Sequence, residues 1–125
     1  MSTRDTGNIG ESLTAYYLER SGYKILRRNY TVRGGEIDII AEKDGVIAFV
    51  EVKTRDISAL DKGVNAVNKH KRGLIIRASQ EYLYRVGSEC QPRFDISDVT
   101  LKNGRPVKFS YYDNAFSADG SELIL

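Results

Sequence analysis

Two apolar-rich runs, Glu36–Lys43 and Val46–Lys53, flank the dipeptide Asp44-Gly45, and this pattern constrains the chain more than any other. A two-residue hairpin loop of the twist-matched kind needs positive φ at both central residues, which Asp and Gly adopt more readily than other residues. With Asp44 and Gly45 as the loop, Lys43 faces Val46, Asp38 faces Glu51 and Glu36 faces Lys53. Strand alternation then puts Glu36, Asp38 and Ile40 on one face with Phe49, Glu51 and Lys53. The other face carries Ile37, Ile39, Ala41, Ala48, Val50 and Val52, an unbroken apolar surface that belongs in a core.

The charged face calls for chemistry. Directly opposed Cβ atoms on paired strands lie roughly 4.5–5.5 Å apart, where like charges destabilise unless something lies between them. A divalent cation answers that need, because Mg²⁺ takes carboxylate oxygens, keeps several waters and needs few protein ligands when a phosphate supplies the rest. Asp38 and Glu51 are therefore candidate metal ligands. Lys53 beside them can orient or help deprotonate an attacking water, or stabilise charge developing on a phosphate. The bland alternative is a Glu36–Lys53 surface ion pair with Asp38 and Glu51 merely facing solvent. It leaves unexplained why four charges gather at one end of a face whose other end is Ile40 and Phe49.

The rest of the chain supports a layered fold. Ile9, Leu13, Tyr16 and Tyr17 recur at helical spacing before Gly22, predicting a helix over Asn8–Ser21. Tyr23–Tyr30 suits a first strand, and the turn Thr31–Gly35 holds the paired glycines 34 and 35. Val64, Val67, Lys71, Leu74, Ile75, Ala78, Tyr82 and Val86 predict a second helix over Lys62–Val86, with Gly87 as its stop. Arg93–Leu101 and Pro106–Tyr112 read as strands joined through Asn103-Gly104. Asp56–Gly63 reads as a loop beside the site. The order αβββαββ predicts a mixed α/β fold with helices covering a mixed sheet.

A chain of 125 residues, 41% hydrophobic and 29% charged, fits one globular domain, here residues 1–116 with a loose tail over 117–125. The lone Cys90 and lone His70 exclude an intramolecular disulfide and a Cys/His zinc site, so any metal would be held by oxygen. No apolar run approaches the about 18 residues of a membrane span, and no signal-peptide core opens the chain, so a cytoplasmic protein without a membrane partner is expected. A net charge of +2 is no nucleic-acid footprint by itself. Local clusters occur at Arg27-Arg28, at Lys53 with Arg55, and at Lys69, Lys71 and Arg72. Tyr16, Tyr17, Tyr82 and Tyr84 at helical spacing read as core and rim, and His70 as a surface residue.

The string GGEIDIIAEKDGVIAFVEVKTR, residues 34–55, resembles the YraN family, bacterial proteins of the restriction-endonuclease-like group similar to archaeal Holliday-junction resolvases. The likeness extends through GNIGESLTAYYLERSGYKILRRNY at 7–30, AVNKHKRGLIIRASQEYL at 66–83, RFDI at 93–96 and NAF at 114–116. It implies a restriction-endonuclease-like fold and an active site of Asp38 with Glu51-Val52-Lys53. A helix-borne acid, Glu11, becomes a metal contact, although by itself a carboxylate in a first helical turn is ordinary. Mg²⁺ or Mn²⁺ is the implied cofactor. Lys71 falls where the family carries a phosphate-contacting lysine, whereas Lys69 and Gly73 depart from the expected proline and arginine.

Together these readings predict a metal-dependent endonuclease for structured or branched DNA. Asp38, Glu51 and Lys53 are its catalytic residues, Asp38, Glu51 and Glu11 its metal contacts, and Glu36 a supporting partner of Lys53. Arg33, Arg55 and Lys71 are its candidate nucleic-acid contacts. Related junction enzymes are dimers because a symmetric junction presents two equivalent strands, and the resemblance therefore implies a homodimer. The alternatives are a non-catalytic nucleic-acid-binding module of the same fold and, ranked last, an interaction domain whose charged hairpin only protects a sheet edge.

Overall fold

The structure, a computed structural model, describes residues 3–57, 69–119 and 121. The elements follow in the order α1 (Thr3–Arg20), β1 (Lys24–Val32), β2 (Gly35–Lys43), β3 (Val46–Asp56), α2 (Lys69–Val86), β4 (Gln91–Lys102) and β5 (Arg105–Phe116). This is the mixed α/β order expected. The strands form one sheet in spatial order β1-β2-β3-β4-β5. Neighbours run antiparallel except β3 and β4, which are parallel, and the connection between these two carries α2. Such a joint needs a crossover, whereas antiparallel joints can close with tight turns.

The β2–β3 and β4–β5 hairpins use the dipeptides the sequence picks out. Asp44 and Gly45 have φ of 50° and 79°, and Asn103 and Gly104 have 51° and 78°. The β2–β3 ladder runs from Lys43↔Val46 to Ile39↔Val50, in the predicted register.

One helix covers each face of the sheet. Ala15 and Leu18 of α1 pack on Ile39, Ala41, Ala48 and Val50. Ile75, Ala78 and Tyr82 of α2 pack on Ile40, Phe49 and Phe94. Both hairpin faces are thus core over the loop-proximal half, because alternate residues meet opposite helices.

The sides that α1 presents differ from the periodic reading. Tyr16 is 59% exposed, and Tyr17 lies against Phe109 and Tyr111 rather than in the core. The buried stripe is instead Gly10, Glu11, Thr14, Ala15 and Leu18. Small residues win here because the helix lies very close to β3. A Cβ on Gly10 would come within 1.8 Å of Thr54 Oγ1, and Thr14 hydrogen-bonds Ser97 of β4 at 2.7 Å. Burial of the helix therefore depends on close approach and polar matching more than on large apolar groups.

The paired glycines also serve packing as well as turning. Gly34 has φ of 79°, while a Cβ on Gly35 would meet Leu74 O at 2.7 Å and Ala78 N at 2.9 Å. Gly35 thus lets α2 approach the start of β2. Ile37 joins the α2-side core rather than the α1 side predicted by strict alternation, because the regular β2–β3 ladder ends at Ile39↔Val50. Helix α1 starts before the predicted Asn8. The predicted start of the second helix and most of the Asp56–Gly63 loop fall outside the described residues, as does most of the tail.

Candidate active site

Beyond Ile39↔Val50, a side chain takes over from the ladder. Asp38 Oδ2 accepts the Val52 backbone N–H at 2.8 Å, so the half-buried carboxylate is fixed against β3 by main chain. Glu51, one residue earlier, is 5% exposed, and its carboxyl group hydrogen-bonds that of Asp38. Two acids from adjacent strands therefore meet, as the register predicts. Burial pushes the Glu51 carboxyl up to about 9, helped by the hydrogen bond and charge of Asp38 and opposed by Lys71. Burial and crowding against Asp38 thus both disfavour charge on Glu51, and the Lys71 ammonium opposes them.

Lys71 closes the site from α2. Its Nζ lies 2.8 Å from Glu36 Oε1 and 3.2 Å from Glu51 Oε2. Burial alone would lower its pKa, but the hydrogen bond to Glu36 and the charges of both acids hold it above the ordinary lysine value. Glu36 was expected beside Lys53; it pairs with Lys71 instead. The cross-strand register holds only to Ile39↔Val50, and past that point Glu36 is reached from the helix.

Lys53 is half-buried and registers with Asp98 on the parallel strand β4. Burial holds its pKa below the ordinary lysine value, the charge of Arg55 lowers it further, and Asp98 and Glu51 work against both. Asp98 accepts two contacts from Arg55 Nη2, at 2.9 and 3.3 Å. Arg55 is thereby neutralised within the sheet, and its buried Nε has no hydrogen-bond partner.

Two other candidates make their hydrogen bonds with other residues. Glu11, 6% exposed, accepts Arg28 Nε at 2.8 Å and Asn29 Nδ2 at 3.1 Å, both on the same oxygen, and so ties α1 to β1. Arg33 is exposed in the β1–β2 turn, where its carbonyl accepts Arg77 Nε at 3.2 Å. The structure thus brings together Asp38, Glu51, Glu36 and Lys71, with Lys53 two residues along the same strand. No set of three or more His, Cys, Asp or Glu among the described residues is arranged to hold a metal. The donors on offer to a metal are the two hard carboxylates of Asp38 and Glu51. That number suits Mg²⁺ or Mn²⁺, which keep several waters, and the crowding of two carboxyls is the kind of arrangement such an ion would relieve.

A family model for the uncharacterised protein family UPF0102 matches residues 10–99. The chain belongs to this family. The UPF0102 protein of Chlorobium phaeobacteroides is 41% identical over 121 residues, covering 90% of this chain and 94% of the relative. That of Alkaliphilus oremlandii is 45% identical over 113 residues, covering 88% and 96%. UPF0102 is the YraN family that the hairpin string resembles. The UPF0102 match spans Glu11, the whole hairpin, α2 and most of β4, and ends before β5.

Asp98 carries no local sequence signal, since Arg55 reaches it from the neighbouring strand, and Asp95 takes only Arg93 from its own strand. Asp95 is fully buried and accepts Arg93 Nε at 2.9 Å, Arg93 Nη2 at 2.7 Å, Tyr111 Oη at 2.5 Å and the Asn114 N–H at 2.9 Å. Arg93 Nη2 also reaches Tyr23 Oη at 2.6 Å. Burial raises the Tyr111 phenol above its usual value, and the Asp95 charge raises it further. Every partner of Asp95 is a donor, so this acid knits β4 to β5, and Arg93 extends the network to Tyr23 just before β1.

Proposed function

We propose that this UPF0102 protein is a metal-dependent endonuclease hydrolysing phosphodiester bonds in structured or branched DNA. One observation carries the reading: two carboxyls from β2 and β3 crowd each other in a nearly buried position, with a desolvated lysine two residues away on β3. Asp38 and Glu51 would hold Mg²⁺ or Mn²⁺. Such an ion, when bound, supplies positive charge to the scissile phosphate. Asp38, fixed by Val52 N–H, sets the position of the pair. Lys53 brings a cation to the same edge, and its lowered pKa suits proton exchange with an attacking water better than that of an exposed lysine. Glu11 supports the site from α1 by holding Arg28 and Asn29 on β1. Arg33 is the exposed phosphate contact of the three candidates. Arg55 and Lys71 would first have to leave Asp98 and the site acids, respectively. A homodimer matched to two equivalent strands forms part of the proposal; light scattering that finds only monomer at micromolar concentration would remove it.

A second reading, a non-catalytic nucleic-acid-binding module, is favoured by one contact. Lys71 already supplies Glu51 with positive charge, so the cluster is tolerable without metal. The two readings separate on branched, single-stranded and duplex DNA with Mg²⁺, Mn²⁺ or chelator. Metal-dependent nicking supports the nuclease, and salt-sensitive binding without nicking supports the module.

A further inference from the structure

Lys71 contacts Glu51, one of the two acids that would hold a metal, and its acidic partners Glu36 and Glu51 are unlike. Glu36, the nearer at 2.8 Å, has a side chain half open to solvent, whereas Glu51, at 3.2 Å, is almost fully enclosed. A lysine that only anchored α2 to the sheet would be served by Glu36 alone, without bringing its ammonium to an enclosed acid already bonded to Asp38. The ammonium is a compact point charge on a flexible stem, so it can move between two acceptors with little change elsewhere. Its side chain is about a third exposed, and outward movement needs no repacking of the core.

We propose that Lys71 is the tethered cation of the metal-free site: it competes with a divalent metal for Glu51, and Glu36 retains its ammonium once the metal has taken that acid. The proposal rests on the metal-site reading above. Two positive charges at one carboxylate repel strongly in a dry environment, so metal binding and the Lys71–Glu51 contact oppose each other. Glu36 then has a function beyond a surface ion pair. It offers Lys71 an alternative partner and lowers the cost of giving up Glu51. The tethered charge also sets a threshold, since metal must reach a sufficient concentration before the acids exchange one cation for the other.

Calorimetric titration of the full chain with Mn²⁺, paired with electron paramagnetic resonance of bound Mn²⁺, tests this without reference to turnover. Lys71→Met and Lys71→Gln should each bind Mn²⁺ at least about tenfold more tightly than wild type, because the competing charge is gone. Glu36→Gln should bind at least about threefold more weakly, because the ammonium loses the acid that draws it away from Glu51. Thermal unfolding of each metal-free variant establishes that it is folded. If wild type binds Mn²⁺ and both Lys71 variants bind equally or less tightly, the competition is overturned while the metal site stands. Should no protein in the series bind Mn²⁺, competition and metal site fall together.

Discussion

Asp95 and Glu51 are buried acids on adjacent strands, one register step apart, since Asp95 pairs with Val50. They point to opposite faces, Asp95 toward the α1 side with Tyr23 and Tyr111, Glu51 toward Lys71 of α2. Asp95 receives four hydrogen-bond donations. Glu51 meets another carboxyl and a single lysine. Burial alone therefore does not distinguish a structural acid from a reactive one. What separates them is whether the surroundings satisfy the charge, and at Glu51 they do so incompletely, the condition under which perturbed groups mark functional sites.

The largest effect expected from this contrast is on catalysis. Asp38→Ala and Lys53→Ala should each reduce metal-dependent nicking by about 10³-fold or more, with thermal midpoints close to wild type. Undiminished nicking in both would remove the site from the hairpin. Next in size is Asp95→Ala, which strands the Arg93 guanidinium and should cost about 3–5 kcal/mol in urea denaturation while leaving Mn²⁺ affinity in the folded protein unchanged. A loss below 1 kcal/mol would make the Asp95 network ornamental.

The Glu51 environment predicts a pH dependence of opposite character. Its folded-state value, about 9, lies above the ordinary carboxyl value of 4.5, so its contribution to stability is complete below pH 4.5 and is lost as pH rises toward 9. In chelator the protein should therefore lose stability across that window, and Glu51→Gln should flatten the profile. Parallel profiles for the two proteins would place the strain elsewhere. The smallest effect is that of Tyr111→Phe, which removes one of the four donors to Asp95 and should cost about 1–2 kcal/mol by the same denaturation assay.

Local grammar carried much of the architecture. Asp44-Gly45 and Asn103-Gly104 specify their turns through positive φ, and the ladder from Lys43↔Val46 to Ile39↔Val50 follows from loop length. The meeting of Asp38 with Glu51 was legible for the same reason. Partners set by tertiary approach were not. Glu36 pairs with a lysine 35 residues away, a contact absent from any strand register. Asp98 comes beside Lys53 through parallel pairing, which no short-range turn signal announces. The α1 interface misled periodicity because Gly10 and Thr14 are buried for closeness and hydrogen bonding, while two tyrosines stand outside.

The order of strands has a consequence for how the acid cluster comes into being. Asp38 and Glu51 are joined by a short hairpin, so loop closure brings them together early and cheaply in entropy. Lys71 arrives only when α2 docks, and Asp98 only when β4 zips alongside β3. A chain emerging in sequence thus carries two opposed acids before it carries their tethered cation. During that interval the two acids face each other without the lysine that later reaches Glu51.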